Sequence, residues 1–196
     1  PACSGCWPRD DGSSDVTPPA PTIPRVARRP APGLFAGVRR VGFLLSALLL
    51  VVSFTLAAPL AVGVVYGETQ VIGAFATALF AGVAIGASGV FLLRTDMKSV
   101  SRREGFAVVA LGWAMICLFG SVPYMLAGSL GPVDAWFEST SGFTTTGASV
   151  VSVPESLPHG ILFWRSMSQW LGGMGFVVLY VALFPLLGVG AARLYR

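Results

Sequence analysis

The chain has 196 residues, of which 54% are hydrophobic and 11% are charged, and its formal net charge is +4. This composition is too apolar and too poor in charge for a soluble domain of this size, so it predicts an integral membrane protein whose solvent is the lipid bilayer. The basic residues flank apolar runs, which favours a role in membrane orientation and excludes nucleic acid as the expected partner.

Residues 1–33 are rich in Pro, Ser, Asp and Arg. Such a composition buries too little apolar surface to order the chain, so we predict a disordered cytoplasmic arm. Cys3 and Cys6 have the spacing of half a zinc site, but no second pair and no nearby His completes four ligands. We therefore expect no metal in this arm.

A transmembrane hairpin is predicted over residues 34–93. Its first apolar run is too long for the apolar region of a secretory signal, and Pro59 predicts a kink within it. The second run carries Gly82 and Gly86, at the spacing that lets two helices approach closely.

A basic cytoplasmic connector at residues 94–104 separates this hairpin from residues 105–196. The latter region has a pattern typical of cation channels: a span, a helix too short to cross the membrane, an irregular polar stretch and another span. The predicted fold is thus all-α, with two N-terminal transmembrane helices followed by one span–pore-helix–filter–span repeat of the potassium-channel type. The four segments of this repeat are predicted at residues 105–127, 132–141, 142–149 and 161–189.

Basic residues predict the orientation of the spans. With the N-terminus inside and four spans, all of the 13 Lys and Arg residues except Arg165 fall in cytoplasmic segments. We therefore predict a multi-pass protein of the cell (inner) membrane with a cytoplasmic N-terminus.

The stretch at residues 142–149 has the sequence GFTTTGAS. Backbone without helix or sheet partners is tolerated at membrane depth only where it is buried in protein or lines water, and carbonyl oxygens facing an axis can replace the water around a potassium ion. Gly147 can adopt the angles that turn a carbonyl inward, while the hydroxyls of Thr145 and Thr146 can add ligands. We predict a selectivity filter; the alternative is a polar surface turn.

Arg165 lies about one turn into the last predicted span. Its side chain can extend to the outer headgroups, or it can form a buried pair with Glu138 or Asp134 that braces the short helix, and we favour the pair. Asp134 and Glu138 also add negative potential at the outer mouth, although Asp134 alternatively favours the start of a helix.

Several apolar and small residues of the last span are expected to have structural roles. Gly172, Gly173 and Gly175 favour a close-packing surface over a hinge. Trp164 and Trp170 are typical of an interfacial aromatic belt.

Two motifs carry a resemblance to the Trk/Ktr/HKT potassium-uptake family. Residues 134–149, DAWFESTSGFTTTGAS, are similar to the first pore loop of the Trk membrane subunit, and residues 164–175, WRSMSQWLGGMG, resemble the helix that follows it. The resemblance covers roughly residues 34–196, including an extra helical pair found in the Trk branch.

This resemblance implies four span–pore–span repeats in one chain around a single ion path, a dimer, and a cytosolic nucleotide-binding regulatory partner. This chain would supply about a quarter of one path, so we expect a fragment, a truncated product or several assembling copies. No cofactor is implied beyond the transported K⁺. The implied ion-binding residues are Thr144, Thr145, Thr146, Gly147 and Ala148, with potassium at Thr145, Thr146 and Gly147, and the implied supporting or vestibule residues are Asp134, Glu138, Arg165 and Gln169.

The predicted function is potassium uptake across the membrane, with the ion selected by backbone carbonyls. An enzyme is not expected, because the spans contain no paired acids, no His cluster and no Ser–His or Cys–His arrangement. Two alternatives stay open: a small cation channel assembled from identical chains, and a non-conducting membrane scaffold.

Overall fold

The computed structural model describes residues 34–95 and 101–186, and within these ranges the chain forms helices and no strands. The arm predicted over residues 1–33 and the centre of the basic connector lie outside the described residues. The helices are α1 (Leu34–Thr55), α2 (Ala57–Tyr66), α3 (Thr69–Leu92), α4 (Arg102–Leu126), α5 (Pro132–Phe143) and α6 (His159–Leu186), with one turn of 3₁₀ helix at Pro154–Ser156.

Three helical stretches of the described chain are long and apolar enough to cross a membrane. They are Phe35–Tyr66, which joins α1 and α2, Thr69–Leu92 and Arg103–Leu126. α6 is not among them over its described length, and the span predicted at residues 161–189 ends outside the described residues.

The first apolar helix is interrupted at Leu56, one helical turn before Pro59. Proline has no N–H to donate to the carbonyl four residues earlier, which belongs to Thr55, and α1 ends at that residue. The N–H of Leu56 instead bonds to the Ser53 carbonyl at 3.1 Å, which tightens the chain before α2 begins at Ala57. The predicted interruption is therefore present but lies at Leu56.

Two glycines of α3 let it lie directly against α1. A Cβ atom on Gly86 would lie 2.8 Å from Leu50 Cγ, and one on Gly82 would overlap the Ser53 hydroxyl. Both glycines are buried. The close helix approach predicted at these positions is confirmed.

The first turn of α4 is fastened to α1. Ser101 and Glu104 form a reciprocal capping box, in which each side chain accepts a hydrogen bond from the other's backbone N–H. The Glu104 carboxylate also lies 3.3 Å from Arg40 Nη1, and both side chains are only 10% exposed. This pair fixes the start of α4 against the N-terminal hairpin.

The core lies where the short helix α5 packs between α4 and α6. α5 has 12 residues and begins at Pro132, where a missing N–H costs nothing. At about 1.5 Å per residue it is roughly 18 Å long, too short to cross the hydrocarbon. The largest fully buried apolar side chains, in a core that also includes α3, are Trp164, Tyr124, Phe75, Leu56 and Ile161.

Candidate functional site

The end of α5 is held tightly between its neighbours. The Ser139 hydroxyl donates to the Cys117 carbonyl of α4 at 2.7 Å. On the other side, Gly172 of α6 lies so close that a Cβ atom there would overlap the Phe143 carbonyl group. The point at which the chain leaves α5, at Thr144, is thereby fixed.

The chain after α5 adopts two left-handed residues. Thr145 has φ 57°, which is unusual for a β-branched residue, and Gly147 has φ 74°. A Cβ atom on Gly147 would meet nothing within 4 Å, so the glycine is required by its backbone angles and not by lack of space. The special backbone expected at Gly147 is present.

The N–H groups at the start of this loop bond back to α5, and the carbonyl groups do not. Thr145 N donates to the Gly142 carbonyl at 2.9 Å, and Thr146 N donates to the Ser141 carbonyl at 3.0 Å. In the part of the chain that the structure describes, no donor bonds to the carbonyl oxygens of residues 144–147, and these four residues are exposed. Four successive carbonyl oxygens are therefore available to a ligand.

Ala148 differs from the other predicted ion-binding residues. Its carbonyl accepts a hydrogen bond of 2.5 Å from the Ser141 hydroxyl, which joins the end of the loop to α5. At the start of the loop, the hydroxyls of Thr144 and Thr146 lie 2.8 Å apart. Ser141, which the sequence did not single out, thus shapes the same loop.

Glu138 holds the far side of the loop. It is only 4% exposed, and its Oε1 accepts hydrogen bonds from Ser149 Oγ at 2.6 Å and from Val150 N at 2.7 Å. Its Oε2 accepts from Arg165 Nη1 at 2.5 Å. Both carboxylate oxygens accept hydrogen bonds from protein donors. Glu138 therefore contacts the loop, and its carboxylate does not face open solvent.

Arg165 joins α6 to the same cluster. Of the two partners considered for it, the structure brings it to Glu138, and its Nη2 also donates to Ser149 Oγ at 3.3 Å. The Arg165 side chain is 17% exposed and the Glu138 side chain 3%, so the pair is largely shielded from solvent. Three elements, α5, α6 and the loop, meet at these two side chains.

Asp134 and Gln169 lie apart from this cluster. Asp134 is exposed in the first turn of α5, where a carboxylate favours the positive end of the helix. Gln169 is exposed on α6. Over the described ranges neither side chain makes a hydrogen bond or an ion pair.

The aromatic belt predicted for Trp164 is wrong. Trp164 is 0% exposed, and its Nε1 donates to the Gly120 carbonyl of α4 at 3.0 Å. Its ring packs edge-on against Phe75 and Phe143, with ring centroids 6.2 and 5.9 Å away. Trp170, by contrast, is 62% exposed.

Glu68 contacts the start of α6, the helix that carries Arg165, and the sequence does not indicate this contact. From the turn between α2 and α3 it accepts hydrogen bonds from His159 N at 2.7 Å and Gly160 N at 3.0 Å, at the start of α6. Its Oε1 lies 3.0 Å from His159 Nδ1, and the Tyr66 ring stacks on the imidazole at 3.9 Å. Burial raises the pKa of Glu68, but the hydrogen bonds from Gly160 and His159 outweigh it and hold the pKa below 4.5.

Comparison with known families gives one clear match. The family model described as "TrkH: Cation transport protein" matches residues 72–196 of this chain.

Curated proteins and a solved structure point the same way. The Trk system potassium uptake protein TrkH of Halomonas elongata is 43% identical over 163 residues, which cover 81% of this chain and 33% of that protein. The protein of the same name from Escherichia coli K12 is 46% identical over 125 residues, covering 63% of this chain and 26% of its own length. The crystal structure of the potassium transporter TrkH from Vibrio parahaemolyticus aligns with a TM-score of 0.73 and 37% identity, over 78% of this chain and 33% of that one. The chain thus spans a third or less of the length of these relatives.

Proposed function

Because this chain belongs to the family of TrkH cation transport proteins, we propose that it forms part of the ion-conducting subunit of a potassium-uptake transporter. In this proposal the loop at residues 144–148 is one wall of a selectivity filter, and α4, α5 and α6 form the span, pore helix and span around it. The function is passage of an ion, with no covalent step and no resident cofactor.

The observation that carries the proposal is the row of unbonded carbonyl oxygens at residues 144–147. Residues 144–147 are exposed, and in a membrane protein carbonyl oxygens without a donor persist where they face water or an ion. A potassium ion that sheds its water needs several oxygens at once, and successive carbonyls in an irregular loop can supply them. Gly147 supports this role because its left-handed backbone is compatible with such a path.

The charges around the loop suit a cation. The loop follows the C-terminal end of α5, where the helix dipole favours positive charge by roughly 0.3 to 1 kcal/mol at exposed sites. Glu138 forms an ion pair with Arg165 and accepts a hydrogen bond from the loop backbone, so its negative charge is balanced locally. Carbonyl dipoles, and not a carboxylate, would then be the direct ligands of the ion.

One such loop cannot surround an ion. The family resemblance implies four repeats around one path, so this chain would provide one of them, and Ala148, whose carbonyl already accepts the Ser141 hydroxyl, would stand at the edge of the ligand set. We further propose an inner-membrane location with a cytoplasmic N-terminus, a dimer of the full-length subunit, and a nucleotide-binding regulatory partner at the cytosolic face.

The test is Gly147→Ala in the full-length protein, expressed in bacteria that lack their own potassium uptake. Gly128→Ala is the matched control, because Gly128 has φ 65° and, like Gly147, nothing within 4 Å of a Cβ atom. Each substitution imposes a similar left-handed strain of about 1–2 kcal/mol. We expect Gly147→Ala to lower the apparent affinity for K⁺ and its discrimination over Na⁺ by about tenfold, and Gly128→Ala to leave both within about twofold.

An equal response of the two variants would attribute the loss to backbone strain and would contradict the filter. Unchanged uptake and discrimination with Gly147→Ala would favour a non-conducting scaffold.

A further inference from the structure

Glu68 belongs to the N-terminal hairpin, yet its side chain caps the N-terminus of a helix that begins 91 residues further along the chain. The first N–H groups of a helix have no partner inside the helix. Here the two oxygens of one carboxylate take two of them, from His159 and Gly160. The negative charge also lies at the positive end of the α6 dipole.

The contact is confined to one position by close packing. A Cβ atom on Gly160 would lie 2.6 Å from Val71 Cγ1 and 3.2 Å from the Pro59 carbonyl, so the first turn of α6 rests directly on α2 and α3. Ile161, the next residue, is 0% exposed. The start of α6 therefore cannot slide along the hairpin without losing the bonds to Glu68.

A continuous series of bonds runs from this anchor to the loop. Arg165 lies six positions after His159 in the helix, a rise of about 9 Å. Arg165 bonds to Glu138, and Glu138 accepts the N–H of Val150. A shift of the α6 N-terminus would be transmitted through rigid helix to the side chain that positions the loop.

We propose that Glu68 is a positioning residue for the ion-selecting loop: by anchoring the N-terminus of α6 it sets the place of Arg165, and through Arg165 and Glu138 the place of the loop backbone. This inference rests on the proposed function, since it assigns the N-terminal hairpin a part in ion selectivity.

The test compares two glutamates that line the same pocket, between the α2–α3 turn and residues 155–159, in the full-length protein. Glu68 and Glu155 both line this pocket, but of the two only Glu68 accepts hydrogen bonds from α6. Glu68→Gln keeps the size of the side chain and removes the charge, while Glu155→Gln removes an equal charge without touching α6. We expect Glu68→Gln to raise the apparent KM for K⁺ by about three- to tenfold with maximal uptake per molecule changed less than about twofold. We expect Glu155→Gln to leave KM within about twofold.

A second variant guards against loss of folding. Glu68→Asp keeps the charge but draws the oxygens back by one methylene, and we expect its KM to lie between those of the wild type and Glu68→Gln. If KM stays at the wild-type value while protein amount and maximal uptake fall, Glu68 only stabilises the fold and the proposal is overturned. An equal rise of KM in Glu68→Gln and Glu155→Gln also overturns it, because the effect would then belong to outer charge.

Gly147→Ala, measured in the same cells, separates this inference from the function on which it rests. If Gly147→Ala lowers K⁺ affinity and its discrimination over Na⁺ while Glu68→Gln leaves the KM for K⁺ at the wild-type value, the filter stands and the positioning role fails. If Gly147→Ala has no effect on selectivity, the filter assignment itself fails.

Discussion

Arg165 and Glu138 form a pair with Nη1 and Oε2 2.5 Å apart, and the Glu138 side chain is 3% exposed. Removing one partner of such a pair leaves a buried charge without compensation. Arg165→Gln should therefore destabilise the full-length protein by about 3–5 kcal/mol. Thermal unfolding in detergent checks this. Ser166→Ala, at a neighbouring exposed position, should change stability by no more than about 0.5 kcal/mol.

The double variant Arg165→Gln with Glu138→Gln tests the cause of that loss. Replacing both charges removes the uncompensated carboxylate, so the double variant should be more stable than Arg165→Gln alone. A double variant no more stable than the single one would mean that the loss comes from packing of the arginine stem.

Gly172 and Gly173 are adjacent but differ in what surrounds them. A Cβ atom on Gly172 would overlap the Phe143 carbonyl, whereas one on Gly173 would lie 3.8 Å from Thr145 Cγ2, an ordinary contact. Gly172→Ala should cost about 1–3 kcal/mol by overpacking, while Gly173→Ala should be neutral or slightly stabilising because alanine favours helix. Comparing the unfolding temperatures of the two variants checks this, and equal losses would contradict the close approach.

Trp164 and Trp170 give a second matched pair. Trp164→Phe removes the donor to the buried Gly120 carbonyl and should cost about 1–3 kcal/mol. Trp170 is 62% exposed, so Trp170→Phe should change stability by less than about 0.5 kcal/mol. Unfolding of both variants in one detergent decides the matter, and a larger loss at Trp170 would argue against the burial of Trp164.

The anchor at Glu68 predicts a pH dependence. Folding lowers the Glu68 pKa below 4.5, because hydrogen bonds from Gly160 and His159 outweigh burial, which raises it. A group with a depressed folded pKa stabilises the protein fully above its unfolded pKa and loses that contribution as the pH falls through the folded pKa. The wild type should thus be more stable than Glu68→Gln near pH 6, and the difference should shrink as the pH falls below 4.5.

Unfolding temperatures at several pH values measure that difference. Glu155→Gln serves as the control, and its difference from the wild type should not follow the same profile. A gap between the wild type and Glu68→Gln that stays constant down to low pH would contradict the role of the ionised carboxylate.

Local signals in the sequence predicted the helices well. The short helix predicted at residues 132–141 begins, as α5 does, at Pro132, and α5 ends at Phe143, two residues beyond the predicted end. Pro59 predicted an interruption, but the break lies at Leu56 because a missing proline N–H affects the carbonyl one turn earlier. The pairing of Arg165 with Glu138 could be considered because a charge inside an apolar helix needs a partner.

Contacts between distant segments left no such signal. The sequence gives no sign of the contact between Glu68 and His159, because nothing local indicates that the hairpin turn reaches the start of α6. The sequence predicts Trp164 at a lipid interface because it does not show which face of α6 meets α4. The sequence does not indicate a role for Ser141, because that role depends on the loop bringing the Ala148 carbonyl back to α5.

The hydroxyl of Ser141 ties the chain seven residues ahead back to its own helix, and Glu138 does the same for Val150. Both bonds lie within residues 138–150, in addition to the contacts that α4 and α6 make with the end of α5 and with Glu138. A loop held by bonds to its own helix can keep its form without an ion between its carbonyl groups. If the loop lines an ion path, as proposed, its carbonyl oxygens would then be in place before the ion arrives, and less free energy would be lost in ordering them on binding.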